Sequence, residues 1–312
     1  MPNVGTRSKV GRVRKDVSLA GRVAIVTGGG AGLGRAEALA LAGAGASVVV
    51  NDLSESDAVA DTLAEIRAAG AEVEFVAGSI AERATADALI YTAQESFGAV
   101  DIVVNNAGIT RDRMLFNLSD EDFDEVLAVH LRGHFLLSRN AAAYWRDKSK
   151  QAGAPVYGRL INTSSEAGLL GPEGQANYGA AKAGITALTL SAARALSRYG
   201  VRANVIAPRA RTAMTEAVFS AAPDGAVDPL SPDHVARLVA YLASPAAEGV
   251  NGQLFVVYGG MVALMAAPVV ERRFDAVGGQ WSADDLADTL GDHFAGRPAG
   301  QTFSASSLID LG

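Results

Sequence analysis

The sequence of 312 residues contains no cysteine and only four histidines. Without cysteine the chain has no disulfide framework, no thiolate nucleophile and no cysteine-based zinc or iron–sulfur site. Only His130 and His134 have the spacing of a metal-binding pair on a helix, and Leu131 stands where a His-Glu-x-x-His motif has its glutamate. We therefore expect no metal in the functional site.

Positive charge is scarce outside the N-terminus, and the net charge is −7. Five basic residues against Asp16 give residues 1–20 a charge of +4, so the rest carries −11. An acidic body does not suit a phosphate backbone, and we expect no nucleic-acid partner. No apolar run of about 18 residues and no secretory signal occur, so we expect no membrane partner and a cytoplasmic location. Residues 1–20 are predicted to be a basic flexible tail, with an interaction arm as the alternative.

Short β-rich runs alternate with longer helical patterns from Arg22 onward. Several runs are continuous in valine and isoleucine, which is typical of strands buried on both faces of a parallel sheet. The order predicts one α/β domain over residues 21–260, with a Rossmann-like, doubly wound parallel sheet of about seven strands. The predicted strands are 23–26, 47–50, 73–76, 102–104, 160–161, 201–206 and 253–257. Long helices are predicted over 120–145 and 175–199.

Residues 261–312 are predicted to be a C-terminal extension without an obvious strand. Ser282 followed by Asp285 resembles a capping box and predicts a short helix over residues 283–293. Packing across a subunit interface is one role open to this extension.

A glycine-rich turn joins the first predicted strand to the first helix. It comprises Gly28, Gly30, Ala31, Gly32, Leu33 and Gly34. Glycines let the backbone turn tightly and approach a pyrophosphate at the helix N-terminus. Asp52, 18 residues after Gly34, is placed to bind the hydroxyls of an adenosine ribose and to repel a 2′-phosphate. We therefore expect NAD in preference to NADP. The alternatives are a turn that only connects strand to helix, and an Asp52 that only caps the next turn.

Tyr178 and Lys182 lie four residues apart in a predicted helix of small apolar residues, so they share one face. A lysine ammonium beside a phenol favours the phenolate, which lowers the expected pKa of Tyr178 and makes it usable as a general acid or base. Ser165 follows a predicted strand at the sheet edge where such sites form, and its hydroxyl is suited to hold a substrate oxygen. The alternative for the pair is a solvated helix face, where Lys182 would have no such role.

Together these motifs resemble the short-chain dehydrogenase/reductase family over roughly residues 20–260. The resemblance rests on the glycine turn, on 105–108 (Asn-Asn-Ala-Gly), on Ser165 and on Tyr178-x-x-x-Lys182. It implies that Tyr178 transfers the proton while Lys182 binds the nicotinamide ribose. It also implies a homo-oligomer, either a dimer or a tetramer.

The resemblance adds cofactor contacts that the residues alone do not indicate. It implies contacts from Leu53, Ser79, Ile80, Asn106, Ala107, Gly108, Pro208 and Thr212. His130 stands where the family often has an asparagine that anchors a relay water, so His130 is a candidate proton relay or a hydrogen-bonded structural histidine. Arg209 replaces the usual glycine after Pro208, and the loop to Thr212 is one residue shorter.

Residues 49–53, 109–113 and 129–133 and the shortened loop at Ala207-Pro208 are similar to the (3R)-hydroxyacyl-CoA dehydrogenase unit of peroxisomal multifunctional enzyme type 2 and its bacterial single-domain relatives. The resemblance implies NAD-dependent interconversion of a secondary alcohol and a ketone, with a small-molecule substrate such as a 3-hydroxyacyl-CoA or a related hydroxylated lipid or steroid. An NADPH-dependent 3-oxoacyl-(acyl-carrier-protein) reductase and a cofactor-sensing protein with little turnover are the alternatives.

Two further features bear on the substrate. Five arginines are candidates for a CoA phosphate contact or for pairing with local acids: Arg111, Arg113, Arg132, Arg209 and Arg211. Residues 214–226 are predicted to form a mobile substrate loop.

Overall fold

A computed structural model describes residues 16–212, 227–298, 302–305 and 308 of the chain. Most of the predicted basic tail lies outside these residues, and the predicted substrate loop, 214–226, lies wholly outside them.

One sheet of eight strands forms the centre of the fold, in the order β3-β2-β1-β4-β5-β6-β7-β8. β1 to β7 run parallel, and each predicted run overlaps one of them. The strands are β1 Val23–Thr27, β2 Ser47–Asp52, β3 Val73–Ala77, β4 Ile102–Asn105, β5 Gly158–Thr163, β6 Val201–Pro208, β7 Leu254–Tyr258 and β8 Met261–Leu264. The strand order reverses between β1 and β4, and ligands bind at the carboxyl ends of the strands at such a point. The predicted fold class is confirmed.

The sheet has one strand more than the seven predicted. β8 pairs antiparallel with β7 and lies where the sequence indicated an extension without a strand. Gly259, at φ 51°, turns the chain back along the sheet edge. The four residues of β8 alternate half-buried and exposed side chains, a pattern too short to be told from a loop.

Helices cover both faces of the sheet, as predicted. α1 Gly32–Gly43, α2 Asp57–Ala68 and α8 Pro232–Ala243 pack on one face, and α3 Arg83–Phe97, α5 Gly133–Ala152 and α7 Ala176–Leu196 pack on the other. Two shorter helices, α4 Asp120–Leu127 and α6 Ala167–Leu170, lie between strands. A hydrophobic core lies on each face of the sheet. Successive side chains of a strand point to opposite faces, so Val48 and Val50 pack in one core and Val49 packs in the other.

The long helix predicted over 120–145 is interrupted. α4 ends at Leu127, and a π-helical turn over Ala128–Arg132 leads into α5. Such turns insert an extra residue, which hydrophobic periodicity does not reveal, and they are frequent at functional sites. Here the turn carries His130.

The chain divides into two compact units, one ending at Leu264 and one covering residues 265–312. In the second unit, α9 Ala283–Ala295 begins at the predicted cap. Ser282 Oγ accepts a hydrogen bond from the Asp285 N–H at 3.0 Å, and the Asp285 carboxylate accepts one from the Ser282 N–H at 3.2 Å. The predicted helix is thus confirmed and ends two residues later than expected. Across the described ranges, no helix has the length and apolar character needed to cross a membrane.

Candidate active site

A cavity of about 300 Å³ lies at the carboxyl ends of β1, β4 and β5. Most of the predicted site residues line it: Gly28, Ala31, Gly32, Leu33, Asp52, Asn106, Ala107, Gly108, His130, Tyr178, Lys182, Pro208 and Thr212. Among described residues, the lining does not include Gly30, Gly34, Leu53, Ser79, Ile80 or Ser165. The glycine turn and the Tyr178–Lys182 pair, which are far apart in sequence, therefore face one cleft.

The glycine turn is packed so closely that side chains are excluded from it. A Cβ on Gly34 would lie 2.2 Å from the carbonyl oxygen of Gly28, and a Cβ on Gly28 would lie 2.9 Å from the Cα of Ala107. Gly28 also has φ of 63°, a conformation that favours glycine. α1 begins directly after the turn, and the first N–H groups of a helix have no partner within it. The turn therefore fits a dinucleotide pyrophosphate.

Gly34→Ala is expected to disrupt this turn, because the new Cβ meets backbone that has no room to move. We expect the free energy of unfolding to fall by about 2 kcal/mol or more, with at least roughly a tenfold loss of dinucleotide affinity. Gly43→Ala is the matched control on α1, since nothing lies within 4 Å of its Cβ position and alanine favours a helix. Chemical denaturation and calorimetric titration of both variants measure the effects. Equal behaviour of the two variants would contradict this account of the turn.

The Asp52 carboxylate binds the adjoining backbone and also faces the cleft, and its contact with a ribose stays a prediction. Its carboxylate accepts hydrogen bonds from the N–H groups of Gly30 at 3.0 Å and Leu53 at 2.8 Å, and it also lines the cavity. Gly30 permits the approach, because a Cβ there would lie 2.7 Å from Asp52 Oδ2. A carboxylate has about four acceptor positions, so these two bonds leave capacity for a ligand hydroxyl.

Asn106 joins the glycine turn to the end of β4. Its side-chain amide donates to the Thr27 carbonyl at 3.1 Å, and Thr27 Oγ1 accepts from the N–H of Ala107 at 3.1 Å. These bonds hold together the two strand ends that flank the switch point. Thr212 lies against Gly32, whose Cβ position is 3.5 Å from Thr212 Cγ2.

Three predicted cofactor contacts lie beside the cleft rather than in its lining. Leu53 is 68 % exposed and Ile80 is buried. Gly133 packs on Ile80, whose Cγ2 would lie 2.8 Å from a Cβ there. Ser79 Oγ accepts from the N–H of Ala81 at 3.3 Å. The cofactor contacts of Leu53, Ser79 and Ile80 stay predictions.

Lys182 is buried under the cleft, with only 2 % of its surface exposed. Its ammonium donates to the Thr163 carbonyl at 2.7 Å, and the Ser164 hydroxyl donates to the Lys182 carbonyl at 2.8 Å. Burial lowers the pKa of Lys182 to about 7. Thr163 and Ser164 also line the cavity and were missed by the sequence analysis, although their position directly before Ser165 was a usable signal. The alternative prediction, that the pair lies on a solvated helix face, is wrong because Lys182 is buried.

The pKa of Tyr178 is shifted in the direction opposite to the one expected. Burial raises it, and a hydrogen bond with Ser165 only partly opposes that rise. The Lys182 ammonium lies 5.3 Å from the centre of the Tyr178 ring, but its own charge is destabilised by burial. The spacing of the two residues indicates the attraction between them but not the desolvation of either group.

His130 packs on Gly108 and against Tyr178. A Cβ on Gly108 would lie 2.1 Å from His130 Cε1, and the His130 and Tyr178 rings meet edge to face at 5.2 Å between centres. His130 Nε2 lies 2.7 Å from the carbonyl oxygen of Ile109. Burial, with a smaller contribution from Lys182, holds the pKa of His130 well below its usual range. A neutral, hydrogen-bonded histidine therefore occupies the predicted relay position, and its relay role stays a prediction.

Three of the five candidate phosphate-binding arginines pair with acids. Arg209 makes a two-pronged ion pair with Glu166 at 2.7 and 2.8 Å, Arg111 contacts Glu125 at 2.9 Å, and Arg211 contacts Asp228 at 3.2 Å. Arg113 donates to the Asp112 carbonyl at 2.8 Å, and Arg132 is exposed. This pairing is what the local-acid alternative predicts for Arg111, Arg209 and Arg211.

In the part of the chain that the structure describes, no group of three or more His, Asp or Glu residues is placed to hold a metal.

Comparison with known families matches residues 22–222 to the family model described as short chain dehydrogenase. The chain belongs to the short-chain dehydrogenase family. It is therefore an oxidoreductase that acts on CH–OH groups with an NAD(P) cofactor, as the cleft geometry indicates.

Individual relatives of this short-chain dehydrogenase cover most of its length. The hydroxyacyl-CoA dehydrogenase ChsB1 of Mycobacterium tuberculosis is 64% identical over 306 residues, which are 96% of each chain. The peroxisomal multifunctional enzyme type 2 of Mus musculus is 43% identical over 250 residues, which are 78% of this chain and 32% of that protein. The crystal structure of a short chain dehydrogenase from Mycobacterium avium superposes with a TM-score of 0.81 at 46% identity, covering 90% of this chain and 97% of the other.

Proposed function

We propose that this enzyme oxidises the secondary alcohol of a 3-hydroxyacyl-CoA, or of a related hydroxylated lipid or steroid, with NAD⁺ as the acceptor. The observation that carries the proposal is the buried Lys182 ammonium beside the Tyr178 ring, in the same cleft as the glycine turn. The substrate class is supported by the 64% identity to a protein named hydroxyacyl-CoA dehydrogenase.

Three residues divide the work of this mechanism. Ser165 holds the substrate oxygen, Tyr178 takes the hydroxyl proton, and Lys182 stabilises the phenolate and binds the nicotinamide ribose. The chemistry that NAD⁺ would supply when bound is that of a hydride acceptor for the carbinol carbon. One hydride and one proton leave the alcohol, which becomes a ketone. In the reverse direction Tyr178 returns the proton to the ketone oxygen.

The glycine turn would hold the pyrophosphate, through Gly28, Gly30, Ala31, Gly32, Leu33 and Gly34. Asn106, Ala107 and Gly108 would line the adenosine-ribose side, and Pro208 and Thr212 would meet the nicotinamide. The excluded Cβ positions in the turn support this assignment.

The preference for NAD over NADP is assigned to Asp52. Its carboxylate is fixed by two backbone N–H groups, so it has little freedom to turn away from a 2′-phosphate, and like charges at close range repel. Asp52→Asn is expected to weaken NAD⁺ binding by roughly tenfold. The ratio of the affinity for NAD⁺ to the affinity for NADP⁺ is expected to fall by at least as much.

Calorimetric titration of both cofactors, on protein freed of bound nucleotide, measures this effect. Asp57→Asn is the control, because Asp57 is a nearby exposed acid at the start of α2 outside the cavity lining. Tighter binding of NADP⁺ than of NAD⁺ to the unmodified protein would contradict the role of Asp52. It would favour the NADPH-dependent 3-oxoacyl reductase instead.

We further propose a homo-oligomer, either a dimer or a tetramer. Support comes from the long helices α5 and α7, which expose Phe135 and Leu190 in the single chain. Light scattering during gel filtration measures the mass directly. The cytoplasmic location and the division at residues 20 and 260 remain predictions.

A further inference from the structure

Asn177 stands directly before Tyr178 in the first turn of α7, and its side chain is buried. The first N–H groups of a helix have no partner within it, and that of Tyr178, at the third helical position, is the last of these in α7. The next N–H, that of Gly179, already bonds to the Gln175 carbonyl at 2.7 Å. Gln175 is the N-cap residue, but its side-chain amide donates to the Asp112 carboxylate at 2.8 Å instead. The N–H of Tyr178 therefore needs a partner from another side chain.

Asn177 supplies that partner and also holds two neighbouring elements. Its side-chain oxygen accepts from the N–H of Tyr178 at 2.8 Å. Its amide nitrogen donates to the carbonyl of Arg111 at 3.0 Å and to that of Asp122 at 3.3 Å. Arg111 belongs to the loop after β4, and Asp122 lies in the first turn of α4. One buried side chain thus ties the backbone of Tyr178 to two other parts of the fold.

The loop after β4 is also bonded to the start of α7 through its next two residues. The N–H of Arg113 donates to the Gly174 carbonyl at 2.9 Å, and the Asp112 carboxylate accepts from Gln175 as described above. Residues 111, 112 and 113 therefore each bond to residues 174–177. The same loop contains Gly108, which lines the cleft. This junction sets where α7 begins relative to the cleft.

The junction requires a side chain that both accepts and donates. An asparagine amide has an acceptor oxygen and two N–H donors, and the oxygen and both N–H groups are used here. The partners also fix which way the amide points, since the oxygen faces an N–H and the nitrogen faces two carbonyls. A buried polar group that loses its partner bears its full desolvation cost. Loss of the amide is therefore expected to move the backbone or admit water next to Tyr178.

We propose that Asn177 is a positioning residue, which holds Tyr178 in place for proton transfer by joining the first turn of α7 to the loop after β4 and to α4. The inference rests on the proposed function only for the role of Tyr178 as general acid or base. Among the described residues, the lining of the cavity does not include Asn177, so its effect on the reaction passes through Tyr178.

Asn204 provides a matched control, because it makes the same kind of junction in another part of the fold. It is a buried residue of β6, donates to the Val250 carbonyl at 2.9 Å and accepts from the N–H of Gln253 at 3.0 Å. Alanine at either position removes a buried amide with its bonds, so urea denaturation is expected to show a loss of stability in both variants. Only Asn177→Ala is expected to disturb Tyr178.

Tyrosine labelled with ¹³C at Cζ observes Tyr178 directly. The chain has seven tyrosines, and the Tyr178 signal is the one that is absent in Tyr178→Phe. Burial raises the pKa of Tyr178. In Asn177→Ala the first turn of α7 loosens and water reaches the phenol, so this pKa is expected to fall by about 0.5 or more. Asn204→Ala is expected to leave it unchanged.

The titratable groups that face the Tyr178 ring are Lys182, His130 and Asp112. All three are kept in Asn177→Ala, so a shift in its titration reports a change in position or solvation. In an active enzyme, Asn177→Ala is also expected to lower kcat about tenfold, while the affinity for NAD⁺ stays within about twofold. A residue needed only for stability would not separate these two quantities.

An unchanged Tyr178 titration in Asn177→Ala would overturn the proposal. So would an equal shift in Asn204→Ala, since a general loss of stability would then be the cause. Should Asn177→Ala not fold, Asn177→Ser carries the same test, because a hydroxyl can replace one of the three bonds. Its Tyr178 pKa is expected to fall by a smaller amount, and an unchanged value would contradict the proposal. These spectra need no cofactor and no turnover, so a failure of the proposed function leaves this test intact.

Discussion

Tyr178→Phe is expected to reduce turnover by about a thousandfold while NAD⁺ still binds. The hydroxyl is the only group removed, and a positioned general acid or base contributes roughly 10²–10⁴ to a rate. The ring remains, so its edge-to-face contact with His130 and the shape of the cleft are retained. Initial rates followed by NADH absorbance, together with NAD⁺ titration calorimetry, measure the two effects separately.

Tyr91→Phe is the matched control for this substitution, because Tyr91 is 64 % exposed on α3. It should leave both rate and binding unchanged. The pH dependence adds a second check: burial raises the pKa of Tyr178, and alcohol oxidation needs its phenolate. Oxidation by the unmodified enzyme should therefore accelerate as pH rises, while ketone reduction, which needs the phenol, should slow. Turnover in Tyr178→Phe within about tenfold of that of the unmodified enzyme would remove Tyr178 from the mechanism.

Glu37→Gln is expected to stabilise the protein by a few kcal/mol at alkaline pH. Glu37 lies in α1 with no exposed surface, and among the described residues neither carboxyl oxygen has a hydrogen-bond partner. Burial raises its pKa from 4.5 to about 8, so the folded protein retains a proton that the unfolded chain releases. This contribution to stability is fully present below pH 4.5 and is lost as pH rises toward 8. Relative to its value at low pH, the free energy of unfolding is therefore lower by about 3 kcal/mol at pH 7.

Glutamine has the same shape as the protonated acid and does not titrate. The free energies of unfolding of Glu37→Gln and the unmodified protein should therefore agree near pH 4.5 and separate steadily up to pH 8. Urea denaturation at a fixed protein concentration, repeated across this range, tests the trend. Glu95→Gln, an exposed glutamate on α3, should show no such separation. A difference for Glu37→Gln that does not grow with pH would contradict a buried, protonated Glu37.

The parallel sheet could be predicted because its signals are local and repeated. Continuous valine and isoleucine runs identify strands buried on both faces, and the structure places a strand at each of the seven. β8 was missed since four residues with alternating exposure at a sheet edge give no periodic signal. The π-helical turn over Ala128–Arg132 was missed because one extra residue within a helix changes hydrogen bonds rather than composition.

The candidate site could be predicted as a set of motifs but not as an electrostatic environment. The glycine turn, Asp52, Tyr178 and Lys182 all face one cleft, as their spacing indicated. The pKa of Tyr178 was expected to fall and instead rises, because burial depends on everything packed around the ring. His134 was seen only as half of an unsuitable metal pair. In the fold it is buried, with 2 % of its surface exposed, which the spacing alone did not indicate.

The measurement that tests the account most directly is the oxidation of a 3-hydroxyacyl-CoA, offered as each enantiomer, with NAD⁺ and with NADP⁺. NADH absorbance gives the rate for the unmodified enzyme and for Tyr178→Phe. We expect turnover with NAD⁺, a kcat/KM for NADP⁺ lower by at least roughly tenfold, and turnover about a thousandfold lower in the variant. A preference for NADP⁺, or no oxidation of either enantiomer by a protein that binds NAD⁺, would contradict the proposed function.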